Sequence, residues 1–261
     1  MRFFADGCSY RAAALTYTTL LSLAPLMAVS FVILSAFPFF QSLTIKAQHF
    51  VLQYVVADSR DMIEHFLQNA IKQISHLPWI GFSSLVIIAV LMIFNMEQAF
   101  NTIWHVKKQR QVISAFLLYL AVLIFAPVLL GLGLLLSAYV KSLPLVTTFI
   151  SYFGLAKIIL LITPFCLSVF AFTFLYVAIP NCRVPLRYGF AAAIVAAILY
   201  ETAKFSFTYY IQHFSSYALL YGALAVLPIF LLWLYISWVI ILLGVVISCL
   251  LTERYQYSSR L

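Results

Sequence analysis

Charge is what this chain has least of: seven acidic and fifteen basic side chains in 261 residues. Charged residues make up 8% of it, against about 25% in an average soluble domain. A soluble chain this poor in charge could not cover its own surface, which excludes a soluble enzyme. Eight Gly and nine Pro are too few for a collagen or a low-complexity disordered chain. Four cysteines are too few for a disulfide scaffold. No C-x-x-C spacing occurs, so neither a disulfide nor a zinc knuckle is expected. No long stretch alternates with a period of two, which removes the lipid-facing barrel strand. Apolar side chains are what remain, at 65% of residues with a mean hydropathy of +1.08. The chain reads as an integral membrane protein.

A helix crosses about 30 Å of hydrocarbon with roughly 20 apolar residues. Six stretches qualify, at about 12–40, 79–99, 112–140, 149–179, 188–211 and 222–251. The expected fold is therefore all-α, a polytopic membrane protein of six transmembrane helices forming one integral membrane domain over 1–261. Arg2 and Arg11 precede the first apolar run, as in a signal peptide. That run is about twice the length of a typical signal core and no small-x-small site follows it, so it reads as a retained span.

Orientation follows from the Lys and Arg positions. Arg2, Arg11, Lys107, Lys108, Arg110, Arg183, Arg187, Arg254 and Arg260 fall on one side, and Lys46, Arg60, Lys72 and Lys141 on the other. The excess predicts cytoplasmic termini. The net charge of +8 then suits anionic lipid headgroups as partners. No basic cluster is interleaved with aromatic platforms, so no nucleic-acid partner is expected.

The connection 41–78 is the longest on the outer side. Ile63, Phe66, Leu67, Ala70, Ile71, Ile74 and Leu77 recur at helical spacing opposite Arg60, Asp61, Glu64, Gln68, Lys72 and Gln73. Asp58 or Ser59 can cap this amphipathic helix and Pro78 ends it. A less regular stretch, Ile45 to Val56, is expected to form another helix before it, and these outer helices lie on the bilayer surface, cap the bundle, or form a lid over a cavity.

An ionisable group near the bilayer centre costs at least about 2.5–3.5 kcal/mol and calls for an explanation. Glu201 lies 14 residues after Arg187, about 21 Å along a helix. Lys204 follows one turn later on the same face, with Tyr200 beside it. Two readings stand: a self-neutralising structural pair, or a polar lining that meets a substrate headgroup or a proton. Glu97 and Asn101 share a face at the end of span two, where Glu97 can answer Lys107, Lys108 or Arg110. Asp6 can cap the first helix, and Trp104 with His105 marks an interface. His49, His65, His76 and His213 show no metal-ligand spacing, so neither metal nor cofactor is expected.

Pro25, Pro127, Pro164 and Pro228 fall in spans one, three, four and six and are candidate helix breaks. With Glu97 and Glu201 in spans two and five, each half reads proline, acid, proline. That order fits an inverted repeat of three-helix halves with a site between them. It also fits the ordinary frequency of proline in membrane helices.

Several longer motifs occur in a fixed order. Ala12-Ala13-Ala14-Leu15-Thr16-Tyr17 and Leu21-Ser22-Leu23-Ala24-Pro25-Leu26 open the chain, and Glu97-Gln98-Ala99-Phe100-Asn101-Thr102-Ile103-Trp104 closes span two. Ala178-Ile179-Pro180-Asn181-Cys182-Arg183-Val184-Pro185 precedes the small-residue run Gly189 to Ala197. Tyr221-Gly222-Ala223-Leu224-Ala225 and Leu231-Leu232-Trp233-Leu234-Tyr235 follow. Over essentially the whole chain these motifs resemble the YihY/BrkB family of bacterial inner-membrane proteins. The resemblance implies six helices in the inner membrane. Members have carried a ribonuclease label, links to virulence and serum resistance, and proposed roles in envelope lipid handling. The family's last span often ends in Gly-Ala-Glu, where this chain has Gly244-Val245-Val246, so a role for that acid does not carry over.

The leading expectation is a transporter or lipid-handling protein of the cell envelope. The alternative is a non-transporting scaffold that recruits an envelope protein through the outer helices. An enzyme is not expected, a ribonuclease included. Seven scattered acids offer no paired carboxylates for two-metal chemistry, and no Ser-His-Asp or Cys-His set emerges from spacing.

Overall fold

The computed structural model describes residues 2–35, 79–106, 110–111, 113–125, 128–129, 155–213 and 226–258. Backbone N–H and C=O groups in lipid have no water to pair with, and a helix satisfies them within one segment. The described residues accordingly form seven helices: α1 (Arg2–Ala5), α2 (Cys8–Ser35), α3 (Trp79–Ile103), α4 (Ile113–Phe125), α5 (Leu155–Ala178), α6 (Leu186–His213) and α7 (Val226–Ser258). One of α2 to α7 lies in each of the six expected spans. The protein is an all-α polytopic membrane protein. Ser83–Ile103, Leu186–Ile211 and Leu227–Arg254 are each long and apolar enough to cross a membrane. Ile113–Phe125 and Ile162–Ala178 are shorter apolar helices. The amphipathic segment 41–78 and Pro127 lie outside the described residues.

Local chemistry sets the helix ends. The Pro185 carbonyl accepts the Tyr188 and Gly189 N–H groups at 3.0 and 3.2 Å, so α6 starts at Leu186. α3 stops in a Schellman turn. Val106 N–H donates to the Asn101 carbonyl at 2.9 Å, His105 N–H to that of Thr102 at 3.0 Å, and His105 has φ +52°. α7 runs to Ser258, two turns past the expected Leu251, because Thr252, Glu253 and Arg254 break no helical rule. Pro25 and Pro164 lie inside α2 and α5, which continue through them, each removing one helical N–H. Pro228 lies near the described start of α7 (Val226–Ser258), within the expected span six.

The described structure falls into two compact units, Met1–Leu21 with Met92–Leu118 and Phe165–Leu261, and Ser22–Leu91 with Tyr119–Pro164. In the second, Val29, Ala89, Tyr119, Val122 and Leu123 are buried. The first holds the polar contacts described below. Its core contains Phe100, Ile103, Tyr176, Ile179, Leu242, Val245 and Cys249, all sealed from outside. α6 packs on α7, and Ala192, Ala193, Ala196 and Ala197 form its buried face. Small side chains let membrane helices approach closely. Gly244 serves the same end: a Cβ there would meet the Tyr176 hydroxyl at 2.0 Å. Trp238 of α7 donates its Nε1–H to Thr19 of α2 at 3.0 Å.

Candidate functional site

Glu201 and Lys204 sit three residues apart on α6, which brings their side chains onto one face. Lys204 Nζ lies 2.6 Å from Glu201 Oε2, and the two side chains are 46% and 27% exposed respectively. The hydroxyl of Ser168 on α5 donates to the other carboxylate oxygen at 3.2 Å. Tyr200 turns into an aromatic cluster instead. Its ring stands edge-on to Phe172 at 5.6 Å and meets Trp233 at 5.5 Å. Trp233 in turn meets Phe207 at 5.0 Å. The Lys204 ammonium lies 6.0 Å from the Tyr200 ring centre. The pair is thus fixed on its α5 side and open on the other.

Glu97 has the opposite setting. Its side chain is only 5% exposed, and its Oε1 lies 3.4 Å from Nε of Arg110. Asn101, one turn along α3, donates Nδ2–H to the same oxygen at 3.4 Å. The side-chain oxygen Oδ1 of Asn101 accepts the backbone N–H of Asn181 at 2.7 Å. Arg110 Nη2 reaches three carbonyls, those of Ala178, Ile179 and Pro180, at 3.4, 3.3 and 3.1 Å. These close the C-terminus of α5, where carbonyls have no helical donor and the helix dipole favours a cation. One carboxylate, one amide and one guanidinium therefore tie the end of α3 to the linker between α5 and α6.

A third contact joins sequence ends. Arg2 pairs with Glu253 of α7 through its two terminal guanidinium nitrogens, Nη1 and Nη2, and its Nε lies 3.6 Å from Asp6. The Glu253 hydrogen bond holds the Arg2 guanidinium above its ordinary value. Asp6, a candidate cap from sequence, thus faces Arg2, and Gly7 at φ +64° makes the turn between α1 and α2. Among the described residues no three His, Cys, Asp or Glu side chains gather as a metal site.

Of the cations open to Glu97, the structure pairs it with Arg110; Lys107 and Lys108 lie outside the described residues. Glu201, Lys204 and Tyr200 fall together on α6, and Glu97 and Asn101 in the α3 network. Three participants escaped the sequence reading: Ser168, Asn181, and Arg110 as a cap for α5. Asn181 did carry a signal, because a polar residue directly after Pro180 at a helix exit commonly satisfies chain ends.

Over residues 1–261 the sequence matches the family described as Virulence factor BrkB. It is 43% identical over 256 residues to a UPF0761 membrane protein of Azotobacter vinelandii, covering 98% of this chain and 62% of that protein. A protein of the same name in Legionella pneumophila is 43% identical over 254 residues, 97% of this chain and 61% of its own length. One in Coxiella burnetii is 39% identical over 259 residues, covering 98% of this chain and 93% of that protein. The chain thus spans less than two thirds of the first two relatives. No solved structure matches it. With a full-length family match and membrane relatives at this identity, the chain belongs to the BrkB family of membrane proteins.

Proposed function

We propose that this chain is a transport or lipid-handling protein of the bacterial inner membrane, with cytoplasmic termini, and that Glu201 and Lys204 contact its substrate. The setting of that pair carries the reading. Glu201 lies about 22 Å from the start of α6 at 1.5 Å per residue, near the middle of a membrane helix, where a charge costs about 2.5–3.5 kcal/mol. A pair that served only to hold α6 to α5 would be enclosed between them. Here Ser168 fixes the carboxylate from one side, and the half-exposed ammonium is free to turn towards a phosphate or carboxylate headgroup. The Lys/Arg bias supports the orientation, and membrane lipids are the natural partners. The chemistry is non-enzymatic on this reading: seven acids scattered over the chain provide no two-metal centre for RNA cleavage.

The test is the double change Glu201→Gln with Lys204→Met, which removes both charges at similar volume. Protein reconstituted in vesicles with fluorescent phosphatidylglycerol should move the lipid between leaflets, and the double variant should insert and fold but fail to do so. A double variant as active as the parent would reduce the pair to packing. Parent protein that is inactive in vesicles, yet restores a deletion strain only with segment 41–78 intact, would favour the scaffold that recruits an envelope protein. A C-terminal fusion active only as a periplasmic reporter would overturn the orientation.

A further inference from the structure

Where α5 ends and α4 begins, the first compact unit has an open cleft of about 560 Å³. Its lining includes Arg110, Gln111, Ser114, Asn181, Cys182 and Arg183, and among the described residues no acidic one. Two guanidinium groups and four uncharged polar side chains are an unusual concentration for a chain with 8% charge. We propose that this cleft is a binding site for a phosphate group, held by Arg183 and Arg110 with hydrogen bonds from the neutral lining. The site stands on the cleft alone and does not rest on any role for Glu201 and Lys204.

The electrostatics favour an anion over a cation or a neutral ligand. Arg183 is exposed and lines the cleft, and the planar fork of N–H donors of a guanidinium suits phosphate oxygens. Arg110 is anchored from behind by Glu97 and by the three carbonyls of the α5 terminus. Its position is therefore fixed before any ligand arrives, which spares the ordering cost of a free side chain. The Glu97 charge offsets only one of the two guanidinium charges and lies 5% exposed behind Arg110. The cleft also lies at helix ends, where a crossing helix meets the headgroup layer, and basic pockets at that level suit anionic lipid headgroups. A diester phosphate on a lipid and inorganic phosphate share the chemistry that this lining recognises.

Cys182 provides the readout. It lines the cleft, and burial pushes its thiol up to about 11 against the opposing charge of Arg110. Cys8 and Cys249 are buried, and Cys166 is exposed. In a Cys166→Ser background, maleimide labelling of detergent-purified protein reports on Cys182, with a rate that rises about tenfold per pH unit below its pKa. Labelling is followed with short-chain phosphatidylglycerol or with inorganic phosphate, at fixed pH. Several-fold protection by the lipid at concentrations where inorganic phosphate gives none identifies a lipid headgroup as the ligand. Equal protection by both identifies free phosphate. Either protection should weaken as salt approaches about 1 M, where charges are screened beyond about 3 Å, and should vanish in Arg183→Ala with unchanged thermal unfolding. If Arg183→Ala does not fold, Arg183→Gln takes its place, and the salt dependence of the parent decides on its own. No protection by either probe, or protection indifferent to salt and to Arg183, would overturn the proposal.

Discussion

Two acid–base pairs of the first compact unit, Glu97 with Arg110 and Glu201 with Lys204, have the same chemistry and opposite surroundings. Glu97 and Arg110 come from different elements, are largely enclosed, and share their charges with Asn101 and with three backbone carbonyls. Glu201 and Lys204 are near neighbours on one helix, half open, and among the described residues their one outside hydrogen bond comes from Ser168. The first closes helix ends; the second interrupts nothing, since α6 runs straight through it. A charge pair at a helix end answers carbonyls that need a partner wherever the chain turns. Mid-helix, the backbone needs nothing from either side chain. Only the first pair is therefore explained by the fold.

The largest effect that separates them is Arg110→Ala. It strands a buried carboxylate, which typically costs about 3–5 kcal/mol, a large part of the roughly 5–15 kcal/mol of a native fold. Steady-state protein in membranes should fall sharply, and thermal unfolding of what remains should shift down. Removing both charges with Glu97→Gln and Arg110→Met should recover only part of this, because the carbonyls of Ala178, Ile179 and Pro180 stay without their donor. Full recovery would mean that those contacts contribute nothing, and the comparison would lose its basis.

Glu201→Ala ranks second. It leaves a lone ammonium near the bilayer centre, which costs about 2.5–3.5 kcal/mol on insertion scales, reduced as Lys204 bends its exposed stem towards the headgroups. The double change Glu201→Gln with Lys204→Met should return unfolding to at least the parent value, unlike the double change at Glu97 and Arg110. Unfolding measurements on the four variants make the contrast directly. Asn101→Ala should cost less, about 1–2 kcal/mol, from leaving the Asn181 N–H without its acceptor.

The helices were legible in the sequence because hydropathy over some 20 residues is a strong signal, and the pair on α6 because i, i+3 neighbours meet in any helix. The network around Glu97 was only half legible. Glu97 and Asn101 share a face by spacing, but Asn181 is 80 residues from Asn101, and no local rule pairs them. Arg110 counted in sequence as a positive charge for orientation and as one of three candidate partners for Glu97; its task as a cap appears only when the end of α5 is brought against it.

The smallest effect concerns the backbone that turns the chain between Asn101 and Arg110. His105 holds φ +52° at the position after the α3 cap, where glycine is the usual residue. A side chain in this left-handed region costs roughly 1–2 kcal/mol, less for histidine than for a bulky branched residue because His is enriched there. Glycine would remove that strain and add about 0.5–1 kcal/mol of unfolded-chain entropy. His105→Gly should therefore be close to neutral or stabilising by about 0.5–1 kcal/mol, read as a small upward shift in thermal unfolding. That outcome would mean that the side-chain network holds the turn against its own strain. A clear loss of stability would instead mean that the imidazole contributes contacts of its own, and the Glu97 end would then depend on more than its ion pair. No equivalent test exists at Glu201, where the helix continues and the backbone is indifferent to the pair.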